Sequence, residues 1–316
     1  MPTNQPRQWL LLFSVIAFST WWNSRRHKTG ETGLREIKSK LGFDLIELDQ
    51  SVGMSPGVQK MLDSGEVRVS SLDNFCSLPG NAPSNRSDRY KFSAASAEER
   101  EHTVTLTFQA IDLAWQLKAP FILLHLGQVN MPPITDRLIA MAKAGKYLSR
   151  QYVRMKINAV QEREKVAPEC VERVKNCLHR VIEYAASKNV RIGLEARRDY
   201  EQIPTEHELV EILKEMNSPH LGYWHDFGHS QIKDNLGFID HAEWLRTVGP
   251  RAFGVHVHDC IWPARDQQPP FTGGVDFEKL VPLLPTNCLF VWKMNPNTTV
   301  DVIRRSVQMW KERFGE

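Results

Sequence analysis

Short apolar runs alternate with longer amphipathic stretches along most of this chain, the pattern of a repeated strand–loop–helix unit. The first strand is expected over about residues 11–19, followed by the basic loop Asn23–Lys28 and a helix near 31–41. Strand two is Asp44–Leu48, strand three Val67–Ser71 and strand four Phe121–Leu124, with a short helix near 56–63 between the second and third. Pro79 to Asp88 is rich in Pro, Asn and Ser and reads as a long loop. Ser96-Ala97-Glu98-Glu99 is a capping-box pattern that opens a helix to about residue 117. Residues 128–165 are polar and basic with helical stretches and no strand, so they read as an inserted lid or arm after strand four. A helix over about 168–188 then leads to strand five, Val190–Leu194. Strand six is Leu221–Trp224, strand seven Ala252–Val255 and strand eight Cys288–Trp292. Pro204-Thr205-Glu206 opens one of the later helices, and Pro296–Thr299 caps the last, over about 299–313.

Alternating strands and helices leave a closed barrel or a doubly wound sheet. No G-x-G-x-x-G or Walker pattern supports the second, whereas eight units match an α/β (β/α)8 TIM barrel. The 316 residues suit one barrel domain, 1–316, carrying the insertion at about 128–165.

Composition narrows the function classes. Apolar residues make up 41% and charged residues 24%, which is ordinary for a globular chain. The net charge of +3 is too small to argue for nucleic acid or a membrane surface. The five cysteines form no C-x-x-C pair and read as free thiols in a reducing, cytoplasmic compartment. Arg7 and the run Trp9–Ala17 resemble the start of a signal peptide, but no small-residue cleavage pattern follows, so the first barrel strand is the preferred reading.

The chemistry lies where the strands end. Glu195 follows strand five, Asp226 and His229 follow strand six, and His256 and His258 follow strand seven. A buried carboxylate is costly unless paired or metal-bound. Taken singly, each has a structural reading: Glu195 as the partner of Arg197 or Arg198, Asp226 as a helix N-cap, one histidine as a hydrogen-bonded core group. Together, imidazole plus two carboxylates suits manganese, zinc, cobalt or iron, while magnesium prefers more oxygens. His125 and Glu47 are secondary candidates, Trp22 a candidate apolar wall for a sugar ring, and Arg25, Arg26 and Lys28 a basic loop. The fourth strand end is Lys293, whose ammonium has no lone pair for a metal.

Over nearly its whole length the chain resembles the xylose-isomerase-like TIM-barrel superfamily of sugar phosphate isomerases and epimerases. The resemblance rests on Ser19–Asn23, Leu41–Leu48, Leu123–Gly127, Ile192–Glu195, Gly222–His229, Gly254–Asp259 and Gly273–Phe277. It implies a divalent metal (Mn, Zn, Co or Mg) on Glu195, Asp226 and His256, with Lys293 standing where a glutamate is expected and Asp266-Gln267 where Asp-His is common. Beside it, the candidate catalytic residues are Glu195, His229 and Lys293, and the candidate substrate contacts are Trp22, His125, Arg197, His258 and Asp266. The partner expected is a small carbohydrate, with a homo-oligomer as an open option.

Three roles are open to Lys293. Its ammonium replaces the metal and neutralises Glu195 and Asp226, leaving a carbohydrate-binding or inactive barrel; it swings away from a metal held by the other donors; or it is desolvated with a lowered pKa and acts as a base or imine-former. The expected activity is isomerisation or epimerisation of a small sugar or keto-sugar by metal-assisted enolisation, or a β-elimination of the same chemistry.

Overall fold

Eight of the apolar runs pair edge to edge into a closed parallel barrel in the computed structural model, which describes residues 15–49, 52–73 and 91–315. The barrel strands are β1 (Val15–Ser19), β2 (Leu45–Leu48), β3 (Arg68–Asp73), β4 (Phe121–Leu124), β5 (Arg191–Glu195), β6 (Leu221–Asp226) and β7 (Ala252–Val257). A two-stranded antiparallel hairpin, β8 (Asp259–Ile261) and β9 (Arg265–Gln268), follows β7, and the eighth barrel strand is β10 (Leu289–Trp292). β1 closes the ring, pairing Val15 with Leu289 of β10 and Phe18 with Ile46 of β2. β4, β6 and β10 are buried at every position, because the barrel interior covers one face and the helices the other.

Inward-facing side chains stack in layers. Ala17, Phe121, Leu123, Trp224, Leu289 and Val291 form one cluster that fills the barrel. Trp224 fits because its neighbours on β5 and β7 are glycines. A Cβ on Gly193 would lie 2.9 Å from the Trp224 ring, and one on Gly254 only 2.5 Å away. Above this floor, the period of two points Glu195, Asp226 and His256 inward, and Asp226 pairs in register with His256. The site is thus built directly on the packed core.

Local sequence sets several boundaries as expected. Ser96 accepts from the Glu99 N–H at the start of helix Ala97–Gln116, and Thr205 and Glu208 form a reciprocal capping box for helix Glu206–Met216. The connection from β4 to β5 differs from the expectation. Residues 128–165 are not an arm separate from a helix beginning near 168. Helix Thr135–Lys143 is followed by one helix of 38 residues, Arg150–Ser187, that runs straight through Pro168. Its buried face continues across the proline, from Tyr152, Ala159 and Arg163 to Ala167, Cys170, Val171 and Val174, and this packing outweighs the lost backbone hydrogen bond. β3 also runs two residues past Ser71, to Asp73. Thr299 takes the N-cap position of the last helix, Val300–Phe314, without a side-chain capping bond. The first residues of the expected strand one, the signal-like run before Val15 and the loop Pro79–Asp88 lie outside the described residues. Cys170, Cys177, Cys260 and Cys288 are buried free thiols, and no described helix is long and apolar enough to cross a membrane.

Candidate active site at the carboxyl end of the barrel

Glu195 ends β5 with its side chain buried, and its two oxygens meet different histidines. Oε2 lies 3.0 Å from His125 Nε2, and Oε1 lies 2.7 Å from His229 Nδ1. Asp226 ends β6 and is also the N-cap of helix Phe227–Asn235, where its Oδ1 accepts from the His229 N–H at 2.8 Å. That turn brings the His229 ring back over Glu195. His258 Nε2 lies 3.0 Å from Asp226 Oδ1, while the Gln267 N–H donates to His258 Nδ1 at 3.0 Å. The backbone donor therefore places the His258 proton on Nε2, facing Asp226. His256 puts Nδ1 3.3 Å from Asp226 Oδ2 and Nε2 3.2 Å from both oxygens of Glu47. Glu47 is further held by the Ser71 hydroxyl.

The electrostatics follow from these contacts. Burial raises the pKa of Glu195, but His125 and His229 outweigh it and hold the carboxyl well below its usual range. Asp226 is lowered in the same way, burial being overcome by His229, His258 and His256. Burial and the Arg197 guanidinium keep His125 below the usual histidine value. For His256, burial and Lys293 favour the neutral ring, yet Glu47 and Asp226 carry it up to about 9.

Glu195 Oε1, His229 Nδ1 and His256 Nδ1 are among the buried atoms of this cup that have no hydrogen-bond partner among the described residues. The 2.7 Å contact between the first two is not aligned as a hydrogen bond. Buried polar atoms are normally satisfied, so atoms that converge without bonding one another are what a cation-binding site requires. One ligand atom each from Glu195, Asp226 and His229 lie within 4.8 Å of one another. Carboxylate and imidazole suit a divalent transition ion, so the donor set fits the metal that the sequence implied. Its members are Glu195, Asp226 and His229, with His256 beside them at Asp226.

The profile of the family described as xylose isomerase-like TIM barrel matches residues 36–287, most of the chain. The chain belongs to the xylose isomerase-like TIM barrel family. It is similar in fold to a D-tagatose 3-epimerase-like protein, with 19% identity, TM-score 0.66, and 95% of this chain and 96% of that one covered. It is similar also to the 3-keto-D-glucoside 4-epimerase YcjR of E. coli, at 15% identity and TM-score 0.63 over 95% and 99% of the two chains. A zinc-bound IOLI protein superposes with TM-score 0.64 at 12% identity, over 96% and 100%. In sequence, 84 residues are 31% identical to an uncharacterised protein of Methanocaldococcus jannaschii, MJ1311, a span of 26% of this chain and 28% of that protein.

Within the family barrel, several sequence-derived roles change. Trp22 is fully buried and donates its Nε1–H to the Thr298 carbonyl at 2.8 Å, so it is a core residue and not a sugar wall. The partly exposed neighbour Trp21, tied to Gln267 Oε1 at 3.0 Å, is the ring available at the mouth. His258 is completely buried with both ring nitrogens engaged, so it positions Asp226 and does not reach substrate. Asp266 is partly exposed on β9, with Oδ2 3.7 Å from His229 Nε2. Arg197 contacts His125 Nδ1 and does not pair with Glu195 as the structural reading supposed.

Lys293 lies beyond the matched segment, and its partner is one that no local pattern signals. Its ammonium is 2.7 Å from Asp73 Oδ2 at the end of β3, not on Glu195 or Asp226. Burial favours the neutral amine, but Asp73, Glu47 and Glu195 outweigh it and raise its pKa above the usual lysine value, which favours the ammonium over the neutral amine that the base and imine-former roles need. Asp73 was missed because strand three was ended at Ser71. Continuing the alternation Val69, Ser71, Asp73 points it inward.

Proposed function

We propose that this protein is a sugar isomerase or epimerase-like enzyme that enolises a small sugar or keto-sugar with a divalent cation held by Glu195, Asp226, His229 and His256. The carrying observation is the convergence of one ligand atom each from Glu195, Asp226 and His229 within 4.8 Å of one another at the carboxyl end of a family barrel, with Glu195 Oε1 and His229 Nδ1 buried and without hydrogen-bond partners. A cation there supplies Lewis acidity, lowering the pKa of a C–H beside a carbonyl. The chain's own groups do the rest. Glu195, ionised because His125 and His229 hold its pKa down, accepts the carbon-bound proton. Asp266 and Trp21 stand at the mouth, where a hydroxyl and a ring face of the substrate would meet them. The epimerases among the similar folds agree with this reading, as does the pairing of Lys293 with Asp73, which keeps the ammonium off the donor set. The free cysteines agree with a reducing, cytoplasmic setting.

The test has two arms. Protein purified without chelator is analysed for metals, and a panel of ketoses and keto-sugars is incubated with it in D2O and followed by proton NMR. One divalent ion per chain together with exchange of a C–H next to the carbonyl is expected. Absence of both bound metal and exchange across the panel would overturn the proposal.

A further inference from the structure

We propose that Lys293 is a catalytic residue that donates hydrogen bonds to the substrate oxygen on which negative charge develops, with Asp73 as the positioning residue that aims it. The inference rests on the enolisation reading and adds what answers the charge. Lys293 follows β10 as an inward-facing residue, one position past Trp292, and its side chain is 12% exposed. An ammonium has three N–H donors. Only one protein acceptor is in reach among the described residues, Asp73 Oδ2 at 2.7 Å. Two N–H donors of this nearly buried cation are left for an acceptor outside the protein. Asp73 is itself tied to the donor set: ligand atoms of Asp73, His125 and Glu195 lie within 4.8 Å of one another. This role requires a substrate whose C–H reaches Glu195 to place its carbonyl oxygen at Lys293.

The chemistry balances without a further reagent. The C–H proton passes to the Glu195 carboxylate, the C–H electron pair becomes the new C=C bond, and the carbonyl π pair moves onto oxygen. That oxygen is the atom Lys293 meets, and the ammonium keeps its protons throughout. Return of the proton from Glu195 to the former carbonyl carbon, with the hydroxyl proton of the carbon that lost it passing directly to the adjacent enolate oxygen as its O–H pair becomes the new carbonyl, completes an isomerisation. A fixed cation aimed at the developing oxyanion is worth most in a site with little water, because its orientation costs nothing when the charge appears. The raised pKa agrees with a group that stays charged. A carboxylate at this position could share proton transfer; Lys293 cannot. Proton removal thus falls to one face of the substrate, with electrophilic assistance from the other side of the cup.

The test compares wild type with Lys293→Met, Lys293→Arg and the double variant Asp73→Asn/Lys293→Met. The double variant removes both charges together, so that no buried carboxylate is left uncompensated in case the single variant does not fold. Two readouts are taken on protein as purified: kcat and KM for C–H exchange, and calorimetric binding of a short-chain hydroxamate, an anionic mimic of the enediolate that is not turned over. Loss of one such donor lowers kcat by about a hundredfold or more, with KM within about threefold, and Lys293→Arg retains part of the rate. The hydroxamate binds wild type at least about tenfold tighter than either Met variant, about 1.4 kcal/mol. Equal hydroxamate binding by wild type and variants, or no binding to wild type, overturns the proposal. Lys293-dependent hydroxamate binding with no exchange on any sugar would leave the oxyanion site standing and remove the enolisation reading.

Discussion

Gly228→Ala places one methyl group where the site has no room. An ideal Cβ at Gly228 would lie 2.1 Å from His258 Cε1 and 2.3 Å from its Nδ1. Ordinary carbon contacts are about 3.5–4.0 Å, so the ring must retreat by more than 1 Å. It has nowhere to go cheaply, being fully buried, with Nδ1 accepting from Gln267 N–H and Nε2 on Asp226. Overpacking of this kind costs about 1–3 kcal/mol. Alanine is also the better helix former, by at most about 1 kcal/mol, and Gly228 is in the first turn of helix Phe227–Asn235. The net loss is therefore about 0–3 kcal/mol, and for a chain of 316 residues the melting temperature falls by up to about 5 °C. Stability alone is a weak readout, because the two effects oppose. Metal affinity is the sharper one. Asp226 loses the imidazole that holds it, and disturbing a group that orients a ligand typically costs about 10–100-fold in affinity. Calorimetric titration with Mn2+ or Zn2+ of chelator-treated protein measures it. An affinity within twofold of wild type would refute the claim that His258 acts on the site through Asp226.

Adding the bound ion back to stripped protein should raise its melting temperature, with about 2.7 kcal/mol of stabilisation at a hundredfold excess over Kd; Glu195→Gln should abolish the shift, and an undiminished shift in that variant would remove Glu195 from the donor set. Trp22→Ala should lower stability by about 3–5 kcal/mol in urea melts, whereas Trp21→Ala should leave the midpoint nearly unchanged and raise KM for sugar; the reverse ranking would contradict the placement of the two rings. At the edge of the barrel, burial raises the pKa of Glu36, but His27, Asn23, Lys40 and Arg26 bring its carboxyl down from 4.5 to about 2. A lowered acid pKa contributes stability that is full above pH 4.5 and lost as the pH falls toward 2. Glu36→Gln should flatten the fall of the urea midpoint across that window relative to wild type, and parallel curves would show that Glu36 has no such linkage.

The barrel was legible because each strand carries its own signal. A buried parallel strand is a run of apolar residues whatever its neighbours are, and eight such runs with helices between them close only a few ways. The ends of β5, β6 and β7 were legible for the same reason: a carboxylate or imidazole directly after an apolar run is costly alone and so announces a function. Asp226 shows the limit of this. The N-cap reading and the ligand reading looked like alternatives in the sequence, yet the geometry leaves room for both, with Oδ1 capping His229 N–H while Oδ2 faces His256. The helix through Pro168 was illegible because proline is a strong local signal and the packing that overrides it is spread over a dozen buried residues far along the chain.

What local reading could not supply was pairing across the barrel. Lys293 looked like an intruder among metal ligands because its neighbours in sequence, Trp292 and Met294, say nothing about Asp73, 220 residues away. The two exchange meaning only when β3 and β10 face each other across the cup. Alone, a lysine at this position is a cation in place of a ligand, and charge repulsion argues against a metal. Paired with Asp73 it is a neutral unit, and the objection to a divalent ion at Glu195 and Asp226 falls away. The same pairing favours the ammonium over the free amine, and an ammonium donates hydrogen bonds and does not take protons. Asp73 is therefore the residue on which the reading of Lys293 turns. An Asp73→Leu change should shift the protein from a hydrogen-bond-donating lysine toward the uncharged amine that the sequence alone had left open, a change that carbon NMR of the Lys293 Cε would report directly as a lowered pKa; an unmoved pKa would mean that Glu47 and Glu195 alone keep the ammonium charged.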